Sequence, residues 1–168
     1  MDEKKLRYYT EQLEKYENIT DRMDLEISNY LSKAAKGELS SNGGQQVRSM
    51  LNIANYLERI GDIYLEISRN LTMRKKKKAY FTQDMRDRVA ELSALVKKSL
   101  DLMVENLEAS DKEVSFTKAE ELENEIDQTY KSLRKEYIKK VESGKFQVRS
   151  GVYYSDLITE LERIGDHV

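Results

Sequence analysis

The sequence predicts an all-α protein, an elongated antiparallel helical bundle of about five long helices built from two pseudo-repeated hairpins. Three observations carry this. The 168 residues contain no proline; proline usually makes up about 5% of a chain and breaks helix interiors, so its absence points to long uninterrupted helices. Apolar residues recur at heptad intervals along most of the chain. Finally, Leu57-Glu58-Arg59-Ile60-Gly61-Asp62 returns letter for letter at Leu161-Glu162-Arg163-Ile164-Gly165-Asp166, an internal repeat of the kind that marks duplicated architecture.

In the first helix, expected over 3–36, Leu6, Leu13, Thr20, Ile27 and Ala34 form one heptad series and Tyr9, Tyr16, Met23 and Tyr30 a second. Both series are expected to pack along a bundle seam, with the tyrosines in the core. Gly37 ends this helix, and Ser40-Ser41-Asn42-Gly43-Gly44 reads as a turn. A second helix over 45–74 carries Met50, Ile53, Leu57, Ile60, Tyr64, Ile67 and Leu71 on its seam. The run Lys75 to Lys78 reads as a solvated basic connection.

Thr82 or Asp84 is placed to cap a third helix reaching about Leu107, with Val89, Leu92, Val96, Leu100 and Met103 inward. A polar connection, Ala109-Ser110-Asp111-Lys112, leads to a fourth helix that starts near Ser115 or Thr117 and stops before Ser143-Gly144. Its inward positions are Ala119, Leu122, Ile126, Thr129, Leu133 and Tyr137. The fifth helix follows Phe146 and repeats the second through Tyr154, Leu157, Leu161 and Ile164. No segment reads as a strand. The repeat divides the chain into residues 1–78 and 79–168.

Composition narrows the chemistry. With no cysteine, disulfides and thiolate metal sites are excluded. A net charge of -2 gives no reason to expect nucleic acid as a partner. No apolar window approaches the ~20 residues of a membrane span, and Met1-Asp2-Glu3-Lys4-Lys5 lacks the apolar core of a signal peptide. The end at Gly165-Asp166-His167-Val168 carries no capping signal, which fits a piece of a longer protein.

The acids supply the functional pattern. Glu58 and Asp62, and again Glu162 and Asp166, stand four residues apart, so each pair projects two carboxylates from one helix face. Such like charges repel, and each motif also holds a glycine that costs a helix about 1 kcal/mol relative to alanine. The partner helices repeat the spacing at Glu17 and Asp21 and at Glu123 and Asp127, with offsets of 106 (from 17 to 123) and 104 (from 58 to 162).

In an antiparallel hairpin, residues equidistant from the turn come to equal height. The acid pairs are centred on 19 and 60, with midpoint 39.5, and on 125 and 164, with midpoint 144.5, each beside a glycine turn. Within each hairpin the two pairs should meet, about 30 Å from the turn. Such an oxygen-rich site suits Fe, Mn, Mg or Ca, with Zn less typical. A plain scaffold whose acids only solvate its surface is the competing reading. A di-metal oxidase, which calls for Glu-x-x-His on two helices, fits poorly, because the chain has one histidine, His167.

Glu58-Arg59-Ile60-Gly61-Asp62 and Glu162-Arg163-Ile164-Gly165-Asp166, each preceded by a helix with acids four apart, resemble the paired motifs of PhoU proteins. The resemblance covers nearly the whole chain. It implies three-helix repeats carrying multinuclear iron or zinc clusters on the bundle surface, in proteins that regulate phosphate uptake and signalling rather than catalyse a reaction. By position, Glu17, Asp21, Glu58 and Asp62 would hold one cluster, and Glu123, Asp127, Glu162 and Asp166 the other. A free-standing family member has a helix ahead of the one bearing Glu17, and the resemblance leads to the expectation that the first repeat, 1–78, lacks it. This start is similar to that of a PhoU-like domain at the cytoplasmic C-terminus of a bacterial sodium/phosphate cotransporter. The resemblance thus implies a membrane phosphate transporter partner in the same full-length chain, tethering to the inner membrane, and compatibility with a homodimer.

Overall fold

The computed structural model describes residues 3–37, 40–109, 114–144 and 147–168. They form five helices and, among the described residues, no strand. The helices are α1 (Glu3–Ala34), α2 (Ser41–Lys76), α3 (Gln83–Glu108), α4 (Phe116–Glu142) and α5 (Val148–Gly165). The connection expected at 110–112 and Phe146 ahead of α5 lie outside the described residues. The chain divides into two compact units, Met1–Arg69 with His167 and Asn70–Asp166 with Val168.

α2 begins earlier than its glycines suggest. The Ser40 hydroxyl accepts the Gly43 N–H at 3.1 Å, and the Ser40 carbonyl accepts the Gly44 N–H at 3.0 Å. Serine supplies the cap, so Gly43 and Gly44 sit in the first helical turn rather than in the expected turn. α3 is capped as its sequence signals, with Thr82 Oγ1 accepting the Met85 N–H at 3.2 Å.

In the first unit, α1 and α2 form an antiparallel hairpin. Thr10 and Ser68 share a hydroxyl hydrogen bond of 2.7 Å, and Thr20 packs against Gly61. The means of positions 10 and 68, and of 20 and 61, are 39 and 40.5, on either side of the expected midpoint. Leu6, Ile60, Ile63 and Ile67 are buried here.

The second heptad series of α1 does not behave as expected. Tyr9, Tyr16, Met23 and Tyr30 are 55%, 58%, 55% and 72% exposed, and Met50 and Ile53 of α2 are exposed as well. A helix in a two-helix hairpin turns one face to its partner, and the series through Leu6 occupies it.

In the second unit α3, α4 and α5 pack pairwise against one another. Met85, Leu92 and Val96 from α3, Ile126 and Leu133 from α4, and Ile158 and Ile164 from α5 form the core. α4 and α5 are antiparallel: Tyr130 and Thr159 share a hydrogen bond of 3.3 Å, and Gly151 lies against Tyr137. The mean of 130 and 159 is 144.5, the expected midpoint. Salt bridges Arg88–Glu136 (3.5 Å) and Lys140–Asp84 (2.5 Å) register α3 on α4, but exposed pairs of this kind stabilise by less than about 1 kcal/mol.

Candidate metal centre

Each hairpin packs its partner helix tightly against the motif glycine. A Cβ added to Gly61 would lie 2.9 Å from Thr20 Oγ1, and one added to Gly165 would lie 3.1 Å from two carbons of Ile126. Thr20 and Ile126 are 106 apart, and Gly61 and Gly165 are 104 apart, the same offsets as the acids. The glycine therefore serves close approach of the partner helix, and each acid pair brackets that contact from three residues before to one residue after.

In the first hairpin the bracketing acids converge. Glu17, Asp21 and Asp62 each offer a carboxylate oxygen, and the three atoms lie within 4.8 Å of one another. Glu17 is half-buried; Asp21 and Asp62 are exposed. Glu58 completes the set. Burial first, then the charges of Asp62, Asp21 and Asp24, push its carboxyl above the ordinary range. Among the described residues no lysine, arginine or histidine forms an ion pair with these four acids. Arg59 donates instead to Asn55 at 3.0 Å, and Arg22 reaches Glu26 at 3.7 Å.

The second set is arranged differently. Burial, then Asp166 and Asp127, push the half-buried Glu162 carboxyl up, while Lys131 and Arg163 pull it down. Asp127 is ion-paired with Lys131 one turn along α4. Glu123 is exposed, and among the described residues no second trio of acids gathers as closely as Glu17, Asp21 and Asp62. The repeat explains the difference. At the offset of 106, Lys131 corresponds to Leu25 and Tyr130 to Asp24, so the first hairpin has one more acid and one less base. Sequence reasoning missed both Asp24 and Lys131, although the spacings Asp21 to Asp24 and Asp127 to Lys131 place them on the acid-bearing face.

The first trio fits a metal ion by geometry and donor type. Carboxylate oxygens bind hard and borderline divalent ions at about 2.0–2.6 Å. Two oxygens on opposite sides of one ion are then about 4–5 Å apart, so three oxygens within 4.8 Å of one another can share one ion. An ion would also offset repulsion that no ion pair among the described residues relieves in this hairpin.

No curated protein and no solved structure matches the chain. The PhoU domain family model does, over residues 4–71 and again over 89–168, so each stretch takes in one acid-bearing hairpin. The chain belongs to the PhoU domain family, regulatory helical domains associated with control of phosphate transport.

Proposed function

We propose that this protein is a metal-binding regulatory domain in phosphate transport or phosphate signalling, acting on a membrane phosphate transporter from the cytoplasmic side. Glu17, Asp21, Glu58 and Asp62 hold the first metal centre, with iron or zinc the leading ions and manganese, magnesium or calcium compatible with an all-oxygen donor set. Glu123, Asp127, Glu162 and Asp166 form the second centre, in which an incoming ion must displace Lys131 from Asp127. The transporter is carried in the same full-length chain, as the sequence resemblance implies. Bound metal would supply a hard positive centre tying α1 to α2; the acids fix its position through the close approach of Thr20 and Gly61.

One observation carries this reading: Glu17, Asp21 and Asp62 converge within 4.8 Å with no ion-paired cation among the described residues. A scaffold that uses its acids only for solubility gains nothing from that crowding. Element-resolved metal analysis of the purified protein tests it. The wild type should retain stoichiometric metal, and Glu58→Gln combined with Asp62→Asn should lose at least the first-centre share. A wild type that is folded, able to regulate phosphate uptake and free of metal would sink the proposal.

A further inference from the structure

The basic run at the end of α2 plays no part in the metal centres, yet the fold gathers it into one place. α2 ends with the Ala79 N–H on the Arg74 carbonyl and the Lys78 N–H on the Lys75 carbonyl, both at 3.0 Å, the pairing of a Schellman cap. Such caps favour glycine in the left-handed position. Here that residue is Lys78, with φ 52°, a conformation that costs a side-chain-bearing residue about 1 kcal/mol. Arg149, in the first turn of α5, donates Nη1 to the Lys77 carbonyl at 3.4 Å and so docks the start of α5 on this turn.

The result is an open cleft of about 870 Å³ lined by Lys76, Lys77, Lys78 and Arg149. Val152 and Tyr153 form its apolar and aromatic side, and Asp156 is the one acid on its lining. None of the four cations forms a salt bridge among the described residues. The first turn of α5 contains no acid, and Gln147 at its cap makes no side-chain cap hydrogen bond, so the positive end of that helix dipole adds to the same field.

We propose that this cleft binds a phosphate ester, its phosphate or diphosphate group held by Lys76, Lys77, Lys78 and Arg149 and its organic part resting against Val152 and Tyr153. Arginine and lysine together make charge-assisted hydrogen bonds to phosphate oxygens. Val152 and Tyr153 on the lining offer an organic part an apolar and aromatic surface beside the cations, which argues for an ester over inorganic phosphate. The ester could be soluble or could be the headgroup of a lipid.

The test uses the full chain in excess chelator, so that no metal at the acid clusters can bridge to phosphate; its failure therefore leaves the metal reading standing. ADP is titrated by calorimetry, and phosphatidylcholine vesicles with and without phosphatidic acid are assayed by co-sedimentation. The expected result is binding to at least one phosphate-bearing probe that weakens with added salt. Combining Lys76→Gln, Lys78→Gln and Arg149→Gln should weaken it about tenfold or more. Combining Lys97→Gln, Lys98→Gln and Lys118→Gln, equal in charge removed, should change it less than about twofold. ADP binding alone identifies a soluble ester, vesicle binding alone a headgroup, and both together recognition of the phosphate itself. Asp156→Asn, which removes the negative charge from the lining, should tighten binding and gives an independent readout if the triple variant misfolds. No binding of either probe at low salt, equal loss in the control variant, or weaker binding by Asp156→Asn overturns the proposal.

Discussion

Gly61→Ala isolates the role of the motif glycine, because two opposing effects meet at one atom. Alanine favours the helix by about 1 kcal/mol. Against this, the new methyl would stand 2.9 Å from Thr20 Oγ1 while keeping ordinary contact with Thr20 Cβ and Cγ2 at 3.8 and 3.9 Å. Thr20 Oγ1 donates to the Glu17 carbonyl at 2.9 Å. Rotating it away sacrifices that bond, worth about 1 kcal/mol, and shifting the helices apart costs about 1–3 kcal/mol. Gly61→Ala should therefore destabilise the metal-free protein by about 1 kcal/mol net and, by widening the gap between the acids, lower metal retention. With Thr20→Ala the offending oxygen is gone, and Gly61→Ala should then stabilise by about 1 kcal/mol, a coupling of about 2 kcal/mol. Urea unfolding followed by circular dichroism measures all four corners of the cycle. If Gly61→Ala stabilises by the same amount in both backgrounds, close approach is not what this glycine serves.

Three further outcomes follow from the same structure. Tyr154 is buried, and burial first, then the charges of Asp84 and Glu136, push its phenol up to about 12. Its folded value lies above its unfolded one, so its contribution is intact below about pH 10 and is lost between there and about pH 12, a loss on the order of 2 kcal/mol; absorbance titration should show late tyrosine ionisation near pH 12 in wild type that is reduced by one tyrosine in Tyr154→Phe. Thr82→Ala removes the α3 cap and should cost about 1 kcal/mol, whereas Thr82→Ser should cost a few tenths, both read from urea midpoints. Exchanging the counter-ion between hairpins should exchange their behaviour: Leu25→Lys adds under about 1 kcal/mol to metal-free stability and lowers metal retention, while Lys131→Leu raises retention, as metal analysis at limiting ion would show.

The hairpins were legible because helix geometry is rigid. With the acid pairs centred on 19 and 60 and on 125 and 164 matched across their turns, the midpoint of each hairpin fixes which residues face each other, and Thr20 against Gly61 and Tyr130 against Thr159 fall within one residue of it. Exposure was less legible. The heptad through Tyr9, Tyr16, Met23 and Tyr30 records an apolar stripe but not whether another helix covers it, and in this hairpin that stripe is exposed. The start of α2 was obscured because Gly43 and Gly44 favour a turn, whereas the Ser40 hydroxyl hydrogen bond favours a helix. The unequal charge of the two acid clusters was available in the sequence, but only after aligning Leu25 with Lys131; the duplicated hexamer draws attention to what the halves share, and the difference lies outside it.

The distance between the acids and the hairpin turn has a consequence for how such a chain tolerates insertions and deletions. Glu17 and Glu58 are separated by 41 positions, Glu123 and Glu162 by 39, yet both pairs bracket the same kind of glycine contact. Two residues have thus entered or left between the arms without disturbing the phase of either acid face. Loop length changes entropy only slowly, so the turn can absorb them about 30 Å from the acids. One residue added within α1 between Thr20 and Ala34 would instead rotate the acid face by about 100° relative to the helix beyond it. Length variation among relatives should accordingly collect at the turns and be purged from the helical arms.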